Sequence, residues 1–249
     1  MSYVICTSPR SGSTLLFKML AATGIAGRPA SYFFGPSLED WLDDLGIAPE
    51  ESSWERDRLE AAFRVARLKG SGSNGVFGLR LQGHSHGFFC EKLAVLHPEG
   101  ATDRERFERA FGPTLFVHLM RRDKVDQAVS YLKARQTGLW HVAPDGTELE
   151  RLAPHGEPRY DHDAIQACID MMVGYDRGWT DWFVQEGIEP VRVSYDDLSA
   201  DPNGTLRHVL ECLGLEPTAA DGVTPGVAKL ADRVNRDWVA RFRAEQGYA

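Results

Sequence analysis

The chain has 249 residues, a length that suits one large α/β domain as well as two small ones. Hydrophobic residues make up 43% and charged residues 26%, as in an ordinary soluble globular protein, and no run of about 18 apolar residues could span a bilayer. The formal net charge of −8 disfavours nucleic acid as a partner, because proteins that bind nucleic acid normally carry a clustered basic face.

The amino terminus and the cysteines indicate the compartment. The first predicted strand begins at Tyr3, which leaves no room for a secretory signal before it and predicts a cytoplasmic protein. The four cysteines are scattered, form no C-x-x-C pair and lie among apolar neighbours. This pattern predicts small buried side chains rather than a metal site or a disulfide framework. They are Cys6, Cys90, Cys168 and Cys212.

Four short apolar stretches, far apart in the chain, predict buried β-strands. Each is rich in Val, Leu, Ile or Phe. Helical patterns lie between them, as in β-α-β crossovers, and this order predicts an α/β fold with a central, mostly parallel sheet flanked by helices. The four stretches are residues 3–7, 75–82, 114–120 and 189–195.

Two helices are well marked by their caps and their apolar periodicity. Asp123 is placed to cap the helix that follows the third strand, and Gly138 is placed to end it. A longer helix is predicted from about Asp161 to Glu186, and its wide apolar stripe indicates either core or a subunit interface. The stripe consists of Ile165, Ile169, Met172, Val173, Trp179 and Phe183.

Two segments lack periodicity and predict loops at the ends of the sheet. Residues 35–60 and 141–160 are rich in Gly, Pro, Asp and Glu, and substrate-binding loops are often found in such insertions. No internal repeat is present. We therefore expect one domain over residues 1–249, in which residues 202–249 form a helical carboxyl-terminal layer.

The turn after the first strand predicts an anion site. Residues 7–14 overlay the P-loop pattern G-x-x-x-x-G-K-[ST] with Gly12 and Thr14 retained, but Ser13 stands where the lysine would be. A strand, a turn and a helix in this order direct backbone N–H groups and the positive end of the helix dipole to one point. Ser11, Ser13 and Thr14 add hydroxyl groups, and Arg10 adds a planar cation that suits oxyanions. The alternative is a tight turn that only caps a helix.

The missing lysine argues against a nucleoside triphosphatase or an ATP-dependent kinase. Such enzymes need that lysine over the β- and γ-phosphates and an acidic residue at a strand end to help hold magnesium, and neither is evident. An anion site without lysine and without metal suits a nucleotide whose 5′ end carries a single phosphosulfate. A P-loop-like fold with no metal cofactor is therefore expected.

A second strand end also carries arginines and leads directly into a helix. Arg121 and Arg122 follow the third strand, and Ser130 projects from the polar face of the next helix. Ligands of open α/β sheets gather outside these carboxyl ends, so the pattern predicts a second phosphate site. The alternative is a pair of surface arginines balanced by Asp123 and Asp126.

The two sites together resemble the bacterial sulfotransferases of the trehalose 2-sulfotransferase and lipopolysaccharide sulfotransferase family. The combination of SPRSGST with R-x-D-x-x-x-Q-A-V-S carries most of the resemblance, which extends over most of the chain. The matching segments are SPRSGSTLL, ATGIAG, GLRLQ, MRRDKVDQAVSY, QTGLW, GWTDWF and DWVARFR.

The resemblance implies the donor 3′-phosphoadenosine 5′-phosphosulfate (PAPS), a carbohydrate or related hydroxylated acceptor, and a homodimer. It implies that the 3′-phosphate of the donor meets Arg121 and Ser130. The phosphosulfate would lie on the turn, with Arg10 also stabilising the leaving group and Arg80 as a further candidate cation. The residues of the turn are Arg10, Ser11, Gly12, Ser13 and Thr14.

The chain departs from the family at the general base. Related enzymes carry a glutamate after the G-x-P that follows the first helix, and Ser31 stands at that position here. A serine cannot accept a proton at neutral pH. His84 and His86, after the second strand, are the candidate replacements, because histidine has an unperturbed pKa near ~6.5. The alternative is a nucleotide-binding protein of the same fold that has lost or altered its catalysis.

Overall fold

A computed structural model describes residues 1–48, 54–228, 230 and 232–247. Parallel strands form a central four-stranded sheet in the order β2-β1-β3-β6, and an antiparallel hairpin, β4-β5, lies apart from it. The strands are β1 (Ser2–Thr7), β2 (Phe77–Gln82), β3 (Thr114–Met120), β4 (Leu139–Val142), β5 (Glu148–Arg151) and β6 (Val191–Ser194).

Helices cover both faces of the sheet. Those before the hairpin are α1 (Ser13–Ala22), α2 (Leu38–Leu45), α3 (Glu55–Gly70), α4 (Gly83–Leu96), α5 (Asp103–Phe111) and α6 (Lys124–Thr137). Those after it are α7 (His162–Glu186), α8 (Tyr195–Ala200), α9 (Pro202–Cys212) and α10 (Arg233–Glu245). Within the described ranges, every helix is too short or too polar to span a lipid bilayer.

The alternation of side chains along β1 divides the core into two layers. Val4 and Cys6 pack with α2, α3, α4, α5 and α7 on one face, whereas Tyr3 and Ile5 pack with α1 and α9 on the other. A third cluster joins α6, α7 and α10. The predicted α/β fold with a parallel sheet between helices is confirmed, because the sequence places a buried apolar run at each of the predicted strands.

The register of the sheet aligns the ends of three strands. Thr7, the last residue of β1, pairs with Gln82 of β2 and with Leu119 of β3. The segments that follow these strands therefore emerge side by side at one edge. This edge brings together the turn before α1, the start of α4 and the arginines that precede α6.

Both marked helices form as predicted. Asp123 caps α6, since its Oδ1 accepts a hydrogen bond of 3.0 Å from the amide of Asp126. Gly138 ends α6 with φ 73°, in the left-handed region that favours glycine. Of the apolar stripe on α7, Ile165, Met172, Trp179 and Phe183 are buried within the chain, whereas Val173 is 48% exposed. Most of the stripe is therefore core, and the homodimer stays a prediction.

The loop prediction was wrong over parts of two segments. Helix α2 lies within residues 35–60, where Ser37 and Asp40 form a capping box, and α3 begins at Glu55. Residues 49–53 of that segment lie outside the described residues. The hairpin β4-β5 enters residues 141–160. An eight-residue helix and four-residue strands are too short to establish a period that a sequence pattern would reveal.

Candidate active site

The turn after β1 has the backbone geometry of an anion cradle. Arg10 has φ 62° and Gly12 has φ 88°, and such left-handed residues turn successive N–H groups toward one side. Among the described residues, no hydrogen-bond acceptor is found for the amides of Gly12, Ser13 and Thr14, and the first turn of α1 contains no acidic side chain. These three residues line a cavity, so their amides are available to a bound anion.

Buried hydrogen bonds hold this turn in place. Gln127 of α6 is fully buried, and its Nε2 donates to the carbonyl of Pro9 at 2.7 Å and to Ser8 Oγ at 3.0 Å. Ser8 Oγ in turn donates to Asp176 Oδ1 of α7 at 3.1 Å. Ser11 Oγ points inward and donates to the carbonyl of Ser8 at 2.8 Å. The hydroxyl of Ser11 thus supports the turn, and the structure does not place Ser11 in the lining of the cavity.

Tyr195, at the start of α8, explains why residue 12 is a glycine. A Cβ on Gly12 would lie 2.6 Å from Tyr195 Cδ2, which is shorter than non-bonded carbon atoms approach each other in proteins. The tyrosine ring also contacts the guanidinium of Arg121, whose central carbon lies 4.5 Å from the ring centroid. Tyr195 therefore links the two strand ends, and the sequence analysis missed it because it follows β6, far from both motifs.

Arg10 brings the two predicted anion sites together. Its Nε donates to Ser130 Oγ of α6 at 3.0 Å, and its Nη1 donates to the carbonyl of Trp140 in β4. Burial, and then the charge of Arg121, lower the pKa of Arg10 to about 10. The guanidinium remains charged at neutral pH. Residues predicted at two separate strand ends thus lie around one cavity.

Arg80, at the end of β2, adds a further buried cation. Its Nη1 donates to Thr14 Oγ1 at 2.9 Å, and its Nε donates to Ser31 Oγ at 2.6 Å. Burial lowers its pKa to about 10, and the charge of Glu150 opposes that shift. Ser31, at the position where the resemblance predicts a glutamate, is therefore hydrogen-bonded to an arginine of the cavity.

The cavity between these elements has a volume of about 420 Å³. The cationic and polar residues already described share its wall with aromatic and apolar side chains. Among the residues that line it are Arg10, Gly12, Ser13, Thr14, Arg80, Arg121, Ser130, Phe34, His84, Trp140, His141, Glu150, Leu152, Tyr175 and Tyr195.

The structure separates the two histidines that were predicted as candidate bases. His84 lines the cavity, and its ring lies edge-on to Phe34. His86 lies outside the lining, and its ring packs 4.2 Å from the ring of Trp179 and 4.7 Å from that of Trp182, centroid to centroid. Burial lowers the pKa of His86 to about 4. One helical turn cannot direct residues two apart to the same side, so only His84 reaches the site.

The hairpin β4-β5 contributes two site residues that the sequence analysis missed. His141 and Glu150 are partners across the two strands, and His141 Nε2 lies 3.4 Å from Glu150 Oε2. The same nitrogen lies 3.0 Å from Thr14 Oγ1. Burial, and then the charges of Arg10 and Arg80, lower the pKa of His141 to about 3. No local pattern marked these residues, because they are two ordinary polar residues in a segment without periodicity.

Within the described ranges, no group of three His, Cys, Asp or Glu side chains could hold a metal ion. A parallel sheet whose first strand leads through a tight turn into a helix with amino-terminal amides unpaired among the described residues, and with arginines at the carboxyl ends of the neighbouring strands, defines an α/β protein of P-loop-like architecture.

The family model for Stf0 sulphotransferases matches residues 2–245, and the chain belongs to that family of enzymes. It is 30% identical to the trehalose 2-sulfotransferase of Mycobacterium tuberculosis (strain ATCC 35801 / TMC 107 / Erdman) over 98% of this chain and 94% of that one. It is likewise 30% identical to the trehalose 2-sulfotransferase of Mycolicibacterium smegmatis, over 98% of this chain and 95% of that one.

Two solved structures are also similar to the chain. The sulfotransferase domain from the Synechococcus PCC 7002 olefin synthase has 16% identity and a TM-score of 0.45, over 98% of this chain and 94% of that one. The sulfotransferase from Alicyclobacillus acidocaldarius has 16% identity and a TM-score of 0.40, over the same shares of the two chains.

Proposed function

We propose that this sulfotransferase transfers a sulfuryl group from PAPS to a hydroxyl group of a carbohydrate. The observation that carries the proposal is the hydrogen bond of 3.0 Å between Arg10 of the turn and Ser130 of α6. It supports a single ligand with two anionic groups, one on the turn and the other beside Ser130 and Arg121. PAPS has that character, with a 5′-phosphosulfate and a 3′-phosphate.

The amides of Gly12, Ser13 and Thr14 would hold the phosphosulfate together with Arg10. In the transfer, the acceptor oxygen attacks sulfur in line with the departing phosphate oxygen, and negative charge grows on that oxygen. Donors that are already oriented stabilise this charge without reorganisation. The buried hydrogen bonds of Gln127 to the turn support such preorganisation.

A carbohydrate acceptor is supported by the names of the two mycobacterial relatives, which are trehalose 2-sulfotransferases. The composition of the cavity is compatible with a sugar. Phe34 and Leu152 are 45% and 66% exposed at its wall and present apolar surface, while His84 and Glu150 present polar groups. Trehalose is the first acceptor to test, followed by a panel of other sugars.

The direct test is titration calorimetry with 3′-phosphoadenosine 5′-phosphate (PAP), the product nucleotide. We expect PAP to bind the wild-type chain and Arg10→Ala to weaken this binding by about 30- to 4,000-fold, since removing one partner of a buried charged hydrogen bond costs about 2–5 kcal/mol. Arg28→Ala is the matched control, because Arg28 is exposed and does not line the cavity. Transfer of labelled sulfate from PAPS to trehalose is measured alongside.

Failure of PAP to bind at high micromolar concentration would rule out the donor. Binding of PAP without transfer to any sugar would instead favour the nucleotide-binding protein that has lost catalysis.

A further inference from the structure

Sulfuryl transfer to an alcohol requires a group that accepts the hydroxyl proton, and the family's glutamate is absent. Ser31 stands in its place, and its hydroxyl accepts a hydrogen bond from Arg80. Four His, Asp and Glu side chains line the cavity: His84, Asp126, His141 and Glu150. The carboxylate of Asp126 lies 3.6 Å from Arg121, the cation proposed for the 3′-phosphate, so it is paired on the nucleotide side and three candidates remain. Their surroundings differ enough to distinguish them.

His141 is poorly suited to take the proton. Its Nε2 already faces Thr14 Oγ1 at 3.0 Å. Burial and the charges of Arg10 and Arg80 hold its pKa at about 3, because a second positive charge beside them is unfavourable. The same nitrogen also lies 3.4 Å from Glu150 Oε2, so two neighbours compete with an acceptor hydroxyl for it.

His84 lines the cavity from the start of α4. Its ring is edge-on to Phe34, with centroids 5.2 Å apart, and to Tyr175, with centroids 6.2 Å apart. It makes no hydrogen bond with any other residue that the structure describes. Burial, and then the charge of Arg80, lower its pKa. We therefore assign the His84 ring, with its aromatic neighbours, to the cavity wall that would contact the acceptor.

Glu150 lines the cavity from β5, and its carboxylate can accept a hydrogen bond. Its Oε2 lies 3.4 Å from His141 Nε2, which itself lies 3.0 Å from Thr14 in the first turn of α1. Among the described residues, His141 is the only side chain within ion-pair distance of this carboxylate, and the Glu150 side chain is 44% exposed. Its charge also opposes the lowering of the pKa of Arg10 and of Arg80. The carboxylate therefore faces the same space as the cations of the donor site.

We propose that Glu150, presented by the hairpin β4-β5, accepts the proton of the acceptor hydroxyl. The inference rests on the proposed function. The acceptor oxygen forms a bond to sulfur, the bond between sulfur and the bridging phosphate oxygen breaks, and its electron pair stays on the 5′-phosphate of PAP. The proton passes from the hydroxyl to a carboxylate oxygen of Glu150 and then to solvent. Protonation also removes the repulsion between that carboxylate and the anionic donor.

The test is Glu150→Gln, which keeps the size of the side chain and removes its basicity. We expect kcat for sulfuryl transfer to trehalose, or to the best sugar found, to fall by about 100- to 10,000-fold, the usual contribution of a general base. The affinity for PAP should stay equal or increase, because a negative charge leaves the neighbourhood of Arg10 and Arg80.

Glu148→Gln is the matched control. Glu148 lies two residues earlier on the same strand, pairs with Arg151 and does not line the cavity. It should leave kcat within about threefold of the wild type, and His84→Ala should act mainly on the KM of the acceptor.

Each outcome bears on the inference. If the wild type transfers sulfate and Glu150→Gln keeps more than about a tenth of its kcat, Glu150 is not the base and the proposed function stands. If Glu150→Gln loses PAP binding as well, its role is structural and the inference is overturned. If His84→Ala lowers kcat as far as we expect for Glu150→Gln, His84 is the base. If the wild type transfers to no acceptor, the proposed function fails and this inference fails with it.

Discussion

The turn after β1 and the hairpin β4-β5 contribute to the same cavity in contrasting ways. The turn is buried, and Thr7, Ser8 and Ser11 have no exposed surface. Side chains of α6 and α7, Gln127 and Asp176, form hydrogen bonds with it. The hairpin is half-exposed in β4 and mostly exposed in β5, and it lies outside the main sheet. It reaches the turn through a few contacts, chiefly from Trp140 and His141.

We relate this difference to the two halves of the proposed reaction. A donor site must stabilise growing charge without reorganisation, and the buried turn provides fixed amides and arginines for that purpose. An acceptor site must admit a new substrate, and an exposed hairpin can change its side chains at little cost to the core. In our interpretation the turn binds the nucleotide, and the hairpin supplies the carboxylate that accepts the proton of the acceptor hydroxyl.

The largest effect is expected from Gly12→Ala. The new Cβ would lie 2.6 Å from Tyr195 Cδ2, and alanine at φ 88° is strained by about 1–3 kcal/mol. The turn or Tyr195 must move, so the three amides lose their alignment and PAP binding should fall by at least about 100-fold, as for a 1 Å misplacement at a site. Urea unfolding and PAP titration measure the two effects.

Gly24→Ala is the control that has the unfavourable positive φ of Gly12→Ala but not its steric clash. Gly24 has φ 73°, but nothing lies within 4 Å of its added Cβ. It should cost stability and leave PAP binding intact. Wild-type affinity in Gly12→Ala would mean that the amides of the turn do not form the donor site.

A smaller effect is expected from Arg121→Ala, tested against its neighbour Arg122→Ala. The Arg121 side chain is 11% exposed and lines the cavity, whereas that of Arg122 is 67% exposed and pairs with Asp197. A hydrogen bond to a charged group contributes about 1.5–3 kcal/mol, so Arg121→Ala should weaken PAP by about 10- to 100-fold. Arg122→Ala should change neither the affinity nor, beyond about 1 kcal/mol, the free energy of unfolding. Equal effects of the two variants on PAP affinity would contradict the second anion site.

The smallest effect is a shift in the pKa of His141 on PAP binding, which would connect the hairpin with the turn electrostatically. In the free protein, burial and the charges of Arg10 and Arg80 hold this pKa at about 3. The phosphates of PAP oppose those charges, so the pKa should rise. NMR titration of the imidazole measures the shift. His118, buried in β3 with a pKa lowered to about 4 chiefly by burial, lies outside the cavity and should not respond.

The lowered pKa of His141 also makes the free energy of unfolding depend on pH. The folded-state pKa of His141 lies below the value of ~6.5 for an unfolded chain, so the unfolded state binds more protons between those pH values. The contribution of His141 is fully present above about pH 6.5 and is lost as the pH falls toward 3. His141→Gln should therefore flatten the decline in the free energy of unfolding over that range. An unchanged slope in His141→Gln would show that His141 is not held neutral by its surroundings.

The sequence predicted the elements that have a strong period or a strong cap. The four sheet strands, the cap of α6 at Asp123 and the length of α7 were all predicted, because buried runs and capping residues act locally. The hairpin and α2 were missed, since neither is long enough to show a period. Among the predicted site residues, Ser11 and His86 turn away from the cavity, which no local pattern could indicate.

The sheet strands and the turn after β1 could be predicted from the sequence alone, because residues adjacent in the chain create both. The packing of the whole molecule was needed to show that Arg10 contacts Ser130, that Ser31 contacts Arg80 and that Glu150 lines the same cavity as both arginines. These contacts join residues that are far apart in sequence, and their geometry depends on how β-strands align and helices pack. Such packing is a property of the whole core, and it has no signature in any short stretch of residues.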